Sequence, residues 1–229
     1  MKKIKQIIIL LLMLLTLSAC GDNEVDKEQP KKEEEKIVKE DILTGTVDGY
    51  KFTQVNEVTD RVKIQMSNGD IILVVLSNSD TPKTIENFKN LVEQKFYDGL
   101  IFHRVIEGFM IQGGDPTGTG YGDDTTPTIK GEFKINGVNN KLSHTRGVLS
   151  MARRGGNPET ADTMNSASSQ FFIVHADSDF LDGQYAAFGK VFAGLDVIDK
   201  IAGVDTDYND KPLKEQKIHS IRFITVEQE

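Results

Sequence analysis

The first clear regularity in the chain is a two-residue alternation that gives way to a continuous apolar run. Residues 62–66 alternate between apolar and polar side chains, whereas residues 71–76 are all apolar. Alternation is typical of a strand with one buried face, and a short apolar run fits a strand buried on both faces. Asn68 and Gly69 lie between the two and suit the positive φ angles of a type I′ turn. The pattern predicts a β-hairpin.

A helical period follows this hairpin. Thr81 can cap free amide groups and Pro82 suits the first position of a helix, and apolar residues then recur three or four positions apart until Gly99. The apolar positions of this segment are Ile85, Phe88, Leu91 and Val92. A second helix is predicted around Leu195, Ile198, Ile201 and Ala202.

Six further short runs have the apolar and β-branched composition of strands. They cover residues 101–105, 109–112, 148–152, 171–174, 187–192 and 218–226. With the hairpin, they give about eight strands and two helices, without the regular strand–helix alternation of a parallel sheet. The sequence therefore predicts a mainly β fold, either a closed barrel or a sandwich.

The beginning of the chain differs from everything after it. Three lysines precede an apolar run over residues 7–15, which is too short for a permanent membrane span of roughly 20 residues and fits an export signal. Residues 17–20, Leu-Ser-Ala-Cys, resemble a bacterial lipobox, at which Cys20 would be acylated after removal of residues 1–19. The alternative is an ordinary secretory signal with an incidental cysteine. We expect a protein anchored by lipid outside the cytoplasmic membrane.

A charged segment separates this signal from the folded part. Residues 20–45 contain no aromatic residue and few apolar ones, so burial cannot offset the entropy lost on ordering. We expect residues 20–45 to act as a solvated tether and residues 46–229 to form one folded domain. The apolar content of the whole chain is ordinary for a globular protein.

Net charge and cysteine content exclude several functions. The chain carries 35 acidic and 27 basic side chains, for a net charge of -8, and thus lacks the basic excess that nucleic-acid binding requires. Its single cysteine excludes an intrachain disulfide and any metal site with several thiolates. Nucleic acid and metal are therefore not expected as partners.

The densest group of unusual residues lies in residues 102–115. On regular strands, Arg104 would share a face with Phe102, and Gln112 would share a face with Met110. A cation and an amide could then stand beside aromatic and thioether groups, while His103 would point the other way as a structural residue. On this pattern alone, two core strands with incidental polar residues explain the segment at least as well.

Residues 102–115 resemble the signature of the cyclophilins, a family of peptidyl-prolyl cis-trans isomerases. Residues 81–88, 147–152, 169–173, 180–183 and 188–191 continue the likeness in the order found in the family. The resemblance covers about residues 62–226. It implies a closed eight-stranded antiparallel barrel capped by two α-helices, with a shallow proline-binding groove on its outer face.

Carried over by motif, the resemblance makes Arg104 the catalytic residue. The residues that it implies for substrate binding are Phe109, Met110, Gln112, Ala152, Gln170, Phe172, Phe180, Leu181, Tyr185 and Phe188. A guanidinium can donate a hydrogen bond to the proline nitrogen as the amide twists, and this lowers the rotation barrier. Such a mechanism needs no cofactor and no metal. The expected partners are proline-containing unfolded or partly folded polypeptides.

Three features depart from the family pattern. Phe180 stands where many members have tryptophan, whose indole matters for cyclosporin recognition. The resemblance therefore suggests cyclosporin as a partner but does not predict its affinity. Tyr185 replaces a common histidine. Residues 153–164 expand a loop that is normally shorter, and we hypothesise that Arg153 and Arg154 in this loop favour acidic residues before proline. A silent, exposed insertion is the equally weighted alternative.

The leading hypothesis is a lipid-anchored isomerase on a Gram-positive cell surface that assists folding of exported proteins. The alternative is a chaperone or surface adhesin that binds proline segments with incidental turnover. A nucleotide-binding role for the glycine-rich residues 113–122 is a weaker third hypothesis, because no Gly-Lys-Ser/Thr follows. Ser150 lacks the context of a hydrolase nucleophile.

Overall fold

The computed structural model describes residues 40–77, 79–123, 125–157 and 159–228. In these ranges the chain forms ten strands and three α-helices. The strands are β1 (Thr44–Val47), β2 (Tyr50–Gln54), β3 (Arg61–Met66), β4 (Ile71–Val75), β5 (Ile101–Ile106), β6 (Met110–Gly113), β7 (Val148–Met151), β8 (Phe171–Val174), β9 (Ala186–Ala193) and β10 (Gln216–Gln228). The helices are α1 (Pro82–Glu93), α2 (Ala161–Met164) and α3 (Leu195–Ala202).

Eight of the strands close into a barrel. Their order is β10-β3-β4-β9-β7-β8-β6-β5, all neighbours are antiparallel, and β5 pairs back onto β10 with Ile101 opposite Lys217. Closure pairs both edges of the sheet, which would otherwise present unpaired backbone groups. The predicted eight-stranded antiparallel barrel is confirmed, and each predicted strand segment contributes one barrel strand.

The two longer helices complete the barrel core, as their apolar periods predict. Phe88 of α1 and Ile198 of α3 are fully buried in the same cluster as the inward-facing residues of the strands. The third helix, α2, is a single turn inside the expanded loop and was not predicted. Among the described residues, no helix has the length and hydropathy needed to cross a bilayer.

The start of α1 is stabilised differently from the prediction. Thr81 accepts no capping hydrogen bond from the helix. Instead, the carboxylate of Glu132 accepts hydrogen bonds from the amide of Thr84 at 2.8 Å and from its hydroxyl at 2.7 Å. A negative charge at a helix N-terminus is favourable because the first amide groups there have no partner within the helix. The cap therefore comes from a residue distant in sequence, and the helix ends at Glu93, before Gly99.

The turn between β3 and β4 also differs from the prediction. Only Gly69 has a positive φ, of 95°, whereas a type I′ turn needs two such residues. The amide of Gly69 donates to the carbonyl of Met66 at 2.9 Å, and the amide of Met66 donates to Asp70 at 2.8 Å. These bonds fit a longer hairpin loop that ends in a glycine bulge, so the hairpin is confirmed and its type I′ turn is wrong.

A second hairpin, not predicted, lies outside the barrel. Strand β2 pairs with the far half of β10, with Phe52 opposite Val226, and β1 pairs with β2. Phe52 packs in a separate apolar cluster with Leu73 and Ile224. The hairpin therefore covers an apolar patch on the outer wall of the barrel.

Residues 40–43, which we call the N-terminal strap, are bound to the outer face of β3. Gln65 accepts a hydrogen bond from the amide of Ile42 at 2.8 Å and donates to the carbonyl of Glu40 at 2.9 Å. Lys63 donates to the carbonyl of Ile42 at 2.7 Å. Asp41 accepts hydrogen bonds from Ser220 and, at 3.0 Å, from Arg222.

The strap corrects the predicted domain boundary. Folded structure includes Glu40, so the assignment of residues up to 45 to the tether is wrong. The polar side chains that fix the strap lie on β3 and β10, too far along the chain to be recognised as its partners. Residues 1–39, with the predicted signal and Cys20, lie outside the described residues.

Candidate active site

Strands β5 and β6 bring the two halves of the predicted signature together. Arg104 pairs with Gln112 and Ile106 with Met110, but the register shifts between Phe102 and Arg104. Because of this irregularity, Phe102 is buried in the barrel core while Arg104 lies on the outer wall. The expectation that Phe102 and Arg104 share a face is therefore wrong, whereas Met110 and Gln112 do line the same side.

A small cavity, of about 120 Å³, opens on the outer wall beside Arg104. We call it the groove cavity. Its lining residues are Arg104, Phe109, Met110, Gln112, Ala152, Arg153, Phe172, Leu181 and Tyr185. The rings of Phe172 and Tyr185 meet edge to face at 5.9 Å between centroids. The cavity thus joins an apolar interior to a guanidinium and an amide.

Arg104 is held at the cavity by a residue that the sequence did not indicate. Its Nε donates to Oδ2 of Asp210 at 3.4 Å, and the backbone carbonyl of Asp210 accepts from the amide of Val105 at 2.8 Å. The side chain of Arg104 remains 41% exposed. Asp210 lies 106 positions further along the chain, in the loop after α3, so no local pattern could have identified it.

Two glutamines form the polar side of the site. Nε2 of Gln112 donates to Oε1 of Gln170 at 3.0 Å, and Gln170 in turn donates to the carbonyl of Gly120 at 3.2 Å. Gln170 lines the adjoining pocket of about 340 Å³, which also includes Gln112 and Ala152. The predicted glutamines therefore lie together, at the junction of the two pockets.

The glycine-rich loop beside Gln170 is organised around one carboxylate. Asp115 accepts hydrogen bonds from the amides of Thr117 at 2.9 Å and Gly120 at 2.6 Å. Although burial opposes its charge, these bonds and one from Gly122 hold the pKa of Asp115 below its usual value. Because the loop amides already bind this carboxylate, the hypothesis of phosphate binding loses its support.

Phe180 and Phe188 do not line the groove cavity. Phe180 is 63% exposed and packs on Phe109 at 5.6 Å between ring centroids, so it lies at the rim. Phe188 is fully buried in the barrel core and lies 5.2 Å from the ring of Phe88. Its predicted contact with substrate is wrong, because its position on β9 turns the ring inward, while the neighbouring Ala187 belongs to the apolar cluster beneath the groove.

The expanded loop places its first arginine inside the wall of the cavity. Arg153 forms two hydrogen bonds with Glu159, at 2.9 and 3.0 Å, and its side chain is only 2% exposed. Its charge is thus already paired, which contradicts its predicted role in attracting acidic substrates. Arg154 is exposed and lines the adjoining pocket, so that hypothesis now depends on Arg154 alone.

Behind the cavity lies a chain of three polar groups that sequence reasoning missed. His144 bonds to Asp182 at 2.7 Å and to the hydroxyl of Ser150 at 3.0 Å, and its ring stacks on Phe172. The order of groups is that of a hydrolytic triad, but Ser150 is fully buried and cannot reach a substrate. The chain instead supports Phe172 and ties the turn before Asp182 to β7.

Burial determines the ionisation of the two histidines near the site. It lowers the pKa of His144, although the neighbouring Asp182 acts in the opposite direction. Burial also lowers the pKa of His103, whose ring nitrogens have no hydrogen-bond partner among the described residues. Both side chains are therefore neutral at pH 7, and His103 lies within the structure, as the sequence predicted.

Comparison with known proteins identifies the family to which this architecture belongs. Residues 61–223 match the family described as cyclophilin type peptidyl-prolyl cis-trans isomerase/CLD. The chain belongs to this family and is a peptidyl-prolyl cis-trans isomerase. Both the predicted fold and the predicted class of enzyme are confirmed.

Individual relatives agree with this assignment. A peptidyl-prolyl cis-trans isomerase of Schizosaccharomyces pombe is 43% identical over 158 residues, which cover 69% of this chain and 94% of that protein. The peptidyl-prolyl cis-trans isomerase-like 1 of Neurospora crassa is 41% identical over 72% of this chain and 95% of its own length. The crystal structure of a Cryptosporidium parvum cyclophilin in the presence of the dipeptide Ala-Pro is 33% identical, with a TM-score of 0.61, and the match covers 71% of this chain and 97% of that one.

Proposed function

We propose that the groove cavity is the active site, where the apolar wall holds a proline ring and Arg104 promotes rotation of the preceding amide bond. The observation that supports this most is the position of Arg104 at the edge of a cavity lined by Phe109, Met110 and Phe172. The cavity is small enough to suit one ring. The Ala-Pro dipeptide present in the crystal structure of the Cryptosporidium relative agrees with such a ligand.

The chemistry follows from the electronic structure of the amide. In the planar amide, the nitrogen lone pair is delocalised into the carbonyl group. Rotation about the C–N bond removes this delocalisation and has a barrier of about 18–20 kcal/mol. In the twisted state the nitrogen becomes basic and can accept a hydrogen bond. A guanidinium that donates this bond stabilises the transition state more than either planar ground state, and therefore accelerates exchange in both directions.

The guanidinium of Arg104 has donors that can act on a substrate. Asp210 occupies its Nε, while its terminal amino groups have no protein partner among the described residues. Gln112, opposite Arg104 on the adjacent strand, can hold the substrate backbone through its amide. A guanidinium presents its donors in a rigid planar fork, which suits a hydrogen bond of fixed direction.

The decisive experiment compares Arg104→Ala with Arg61→Ala in an assay of proline-peptide isomerisation. Arg61 is an exposed arginine on β3, away from the groove cavity, and controls for the loss of one positive charge. We expect kcat/KM to fall by about 10²- to 10³-fold for Arg104→Ala, as for removal of a transition-state donor, and to stay unchanged for Arg61→Ala. Equal activity of the two variants would refute the assignment.

We also propose that the enzyme acts on exported proteins while anchored by lipid on Cys20, on the surface of a Gram-positive cell. The supporting observation is the sequence of residues 1–20, with its short apolar run and terminal Leu-Ser-Ala-Cys. The family match begins at residue 61, so the relatives do not bear on this segment. Loss of membrane association in Cys20→Ser, with the wild type retained in the membrane fraction, is the expected result; equal fractionation of both would contradict it.

Binding of unfolded chains as a chaperone or adhesin is the second candidate function. Its support is the exposed aromatic rings near the site: Tyr121, which lines the adjoining pocket, is 98% exposed, and Phe180 is 63% exposed. Exposed aromatic side chains are common in binding surfaces. If Tyr121→Ser reduces suppression of aggregation of an unfolded protein without lowering peptide isomerisation, the two roles are separable; no change in suppression would oppose the second.

The preference for acidic residues before proline remains a proposal that depends on Arg154. We expect a Glu-Pro peptide to have a higher kcat/KM than a Lys-Pro peptide, and Arg154→Ala to reduce the difference by about two- to fivefold, the range for an exposed charge pair. Raising the salt concentration should reduce it as well. Equal turnover of the two peptides by the wild type would remove this proposal and leave the isomerase assignment intact.

A further inference from the structure

Arg153 is unusually buried for an arginine, with a side chain that is 2% exposed. Burial of a charge is costly unless its donors are satisfied, and here four hydrogen bonds satisfy them. Nη1 and Nη2 bind the two carboxylate oxygens of Glu159, Nη1 also donates to the carbonyl of Arg154, and Nε donates to the carbonyl of Gln184. The guanidinium is therefore fixed in one orientation.

This fixed guanidinium lies against two aromatic rings. Its central carbon is 4.8 Å from the ring centroid of Tyr185 and 5.1 Å from that of Phe133. Both distances are within the range of an attractive cation–π contact. Phe133 is buried in the barrel core, whereas Tyr185 forms part of the groove cavity. Arg153 thus links the barrel core to an aromatic side chain in the wall of the groove cavity.

Tyr185 is held from two directions. Phe172 meets its ring edge to face at 5.9 Å between centroids, and the guanidinium of Arg153 lies over its ring. The bond from Nε to the carbonyl of Gln184 also fixes the backbone immediately before Tyr185. Rotation of the Tyr185 ring away from the cavity would therefore break a cation–π contact that no other described residue offers this ring.

Glu159 belongs to the expanded loop and keeps Arg153 in place. Besides the paired bonds from the guanidinium, its carboxylate accepts a bond from the hydroxyl of Thr163 at 2.8 Å. The neighbouring Arg153 and Thr163 hold the pKa of Glu159 below its usual value, so the carboxylate stays charged at neutral pH. Without Glu159, the buried guanidinium would lack its counter-charge and would be driven towards solvent.

We infer that Arg153 and Glu159 are positioning residues that hold Tyr185 in the wall of the groove cavity, and that this is what the expanded loop contributes to substrate binding. The inference rests on the proposed role of the cavity as the proline site. Neither residue is catalytic, because neither needs to reach the rotating bond. The wall of the groove cavity contacts the proline ring of the substrate in both ground states and in the transition state. Displacement of Tyr185 from this wall should therefore weaken substrate binding more than it slows the rotation step.

The test measures KM, kcat and the Kd of the Ala-Pro dipeptide for wild type, Glu159→Ala and Glu159→Gln. We expect Glu159→Ala to raise both KM and Kd about fivefold with kcat changed less than twofold, and Glu159→Gln, which keeps one acceptor oxygen, to lie between. Arg153→Lys should resemble Glu159→Ala, because lysine keeps the charge but lacks the fork and the planar stacking surface. The ring resonances of Tyr185, assigned with Tyr185→Phe, should shift in Glu159→Ala.

The matched control is Thr160→Ala in the same loop. Thr160 caps α2 by accepting a bond from the amide of Thr163, and among the described residues it forms no hydrogen bond with Arg153 or with the carboxylate of Glu159. It should lower the melting temperature without changing Kd or the Tyr185 resonances. An unchanged Kd and unchanged Tyr185 resonances in both Glu159 variants would overturn the inference.

Tyr185→Ala distinguishes failure of this inference from failure of the proposed site. If Tyr185→Ala weakens dipeptide binding and the Glu159 variants do not, the cavity is the binding site and the loop does not control it. If Tyr185→Ala has no effect on Kd, the assignment of the cavity itself is wrong, and the inference falls with it.

Discussion

The groove cavity and the patch beneath the N-terminal strap occupy the same kind of surface, the outer wall of the barrel, and use similar residue types. Each combines a cation with an amide: Arg104 with Gln112 in the cavity, and Lys63 with Gln65 under the strap. Arg104 is 41% exposed, whereas Lys63 is fully buried. The strap contributes to this difference, because its backbone takes hydrogen bonds from Lys63 and Gln65.

The comparison shows that a covering segment converts a potential binding surface into a structural contact. Under the strap, the donors of Lys63 are used by the chain itself. In the cavity, the terminal donors of Arg104 have no protein partner among the described residues. Substitutions in the covered patch should therefore change stability and leave activity per folded molecule intact, while those in the cavity should do the reverse.

The pH dependence of stability gives the largest expected contrast. Burial lowers the pKa of Lys63 to about 8, from the usual lysine value of 10.5, and the charge of Asp41 only partly opposes this shift. Between these two values the unfolded state binds more protons than the folded state, so stability rises with pH. From pH 7 to 9.5, we expect the free energy of unfolding to increase by about 1–3 kcal/mol.

Urea denaturation of wild type and Lys63→Met at pH 7, 8.5 and 9.5 measures this contribution. Lys63→Met keeps an unbranched side chain that is one atom shorter and removes the titrating group, so its stability should lack the rise. A parallel increase in both proteins would assign the effect to other groups and break the proposed contrast between the two regions.

Loosening the strap is the second test. Asp41→Ala removes the carboxylate that binds Ser220 and Arg222, and we expect a loss of about 1–2 kcal/mol in the free energy of unfolding. The control is Asp60→Ala: the carboxylate of Asp60 is 71% exposed, so its pair with Lys89 should contribute less than about 0.5 kcal/mol. Isomerase activity per folded molecule should be unchanged in both; a drop in kcat/KM for Asp41→Ala would show that the regions are coupled.

On the cavity side, Asp210→Ala should reduce kcat/KM about five- to tenfold and lower the melting temperature by only about 2–4 °C, because Asp210 has a positive φ of 62° that alanine disfavours. The reason is that Asp210 orients Arg104 through its Nε, and a freely rotating guanidinium spends less time at the proline nitrogen. Asp210→Asn keeps an acceptor oxygen, so its kcat/KM should lie between those of the wild type and Asp210→Ala. Unaltered kcat/KM in Asp210→Ala would mean that Arg104 needs no such support.

The smallest expected effect concerns the rim of the cavity. Phe180 has no donor for a hydrogen bond, and Phe180→Trp supplies an indole N–H at this exposed position. We expect inhibition by cyclosporin to strengthen about three- to tenfold, the value of one hydrogen bond, while peptide isomerisation changes less than twofold. Equal inhibition of the two proteins would indicate that cyclosporin does not use this position.

Much of the fold could be predicted from the sequence because its signals are local. Alternation over residues 62–66 and the period of Phe88 and Leu91 depend only on which side of an element faces the core. The same holds for Met110 and Gln112, which lie on one regular strand and line one cavity. Where the strand is regular, spacing alone determines which side chains meet.

The failures arise where a contact depends on distant parts of the chain or on a local irregularity. The register shift beside His103 separates Phe102 from Arg104, although their spacing predicts a shared face. Asp210, Glu132 and the strap residues act on partners tens of positions away. Phe188 belongs to a motif of the family, and membership of a motif does not say which face of the strand a side chain occupies.

The dependence of the barrel on β10 has a consequence for how the protein acquires its structure. This strand follows all others in the chain and pairs with β2, β3 and β5. Until it arrives, β3 and β5 each have an unpaired edge, and the apolar faces of both helices lack a closed interior to fill. Closure of the barrel thus awaits the last strand, and long-range pairing of this kind favours slow assembly in which unpaired strand edges are exposed. In this topology, a peptidyl-prolyl isomerase becomes active only after its own most distant strand has paired.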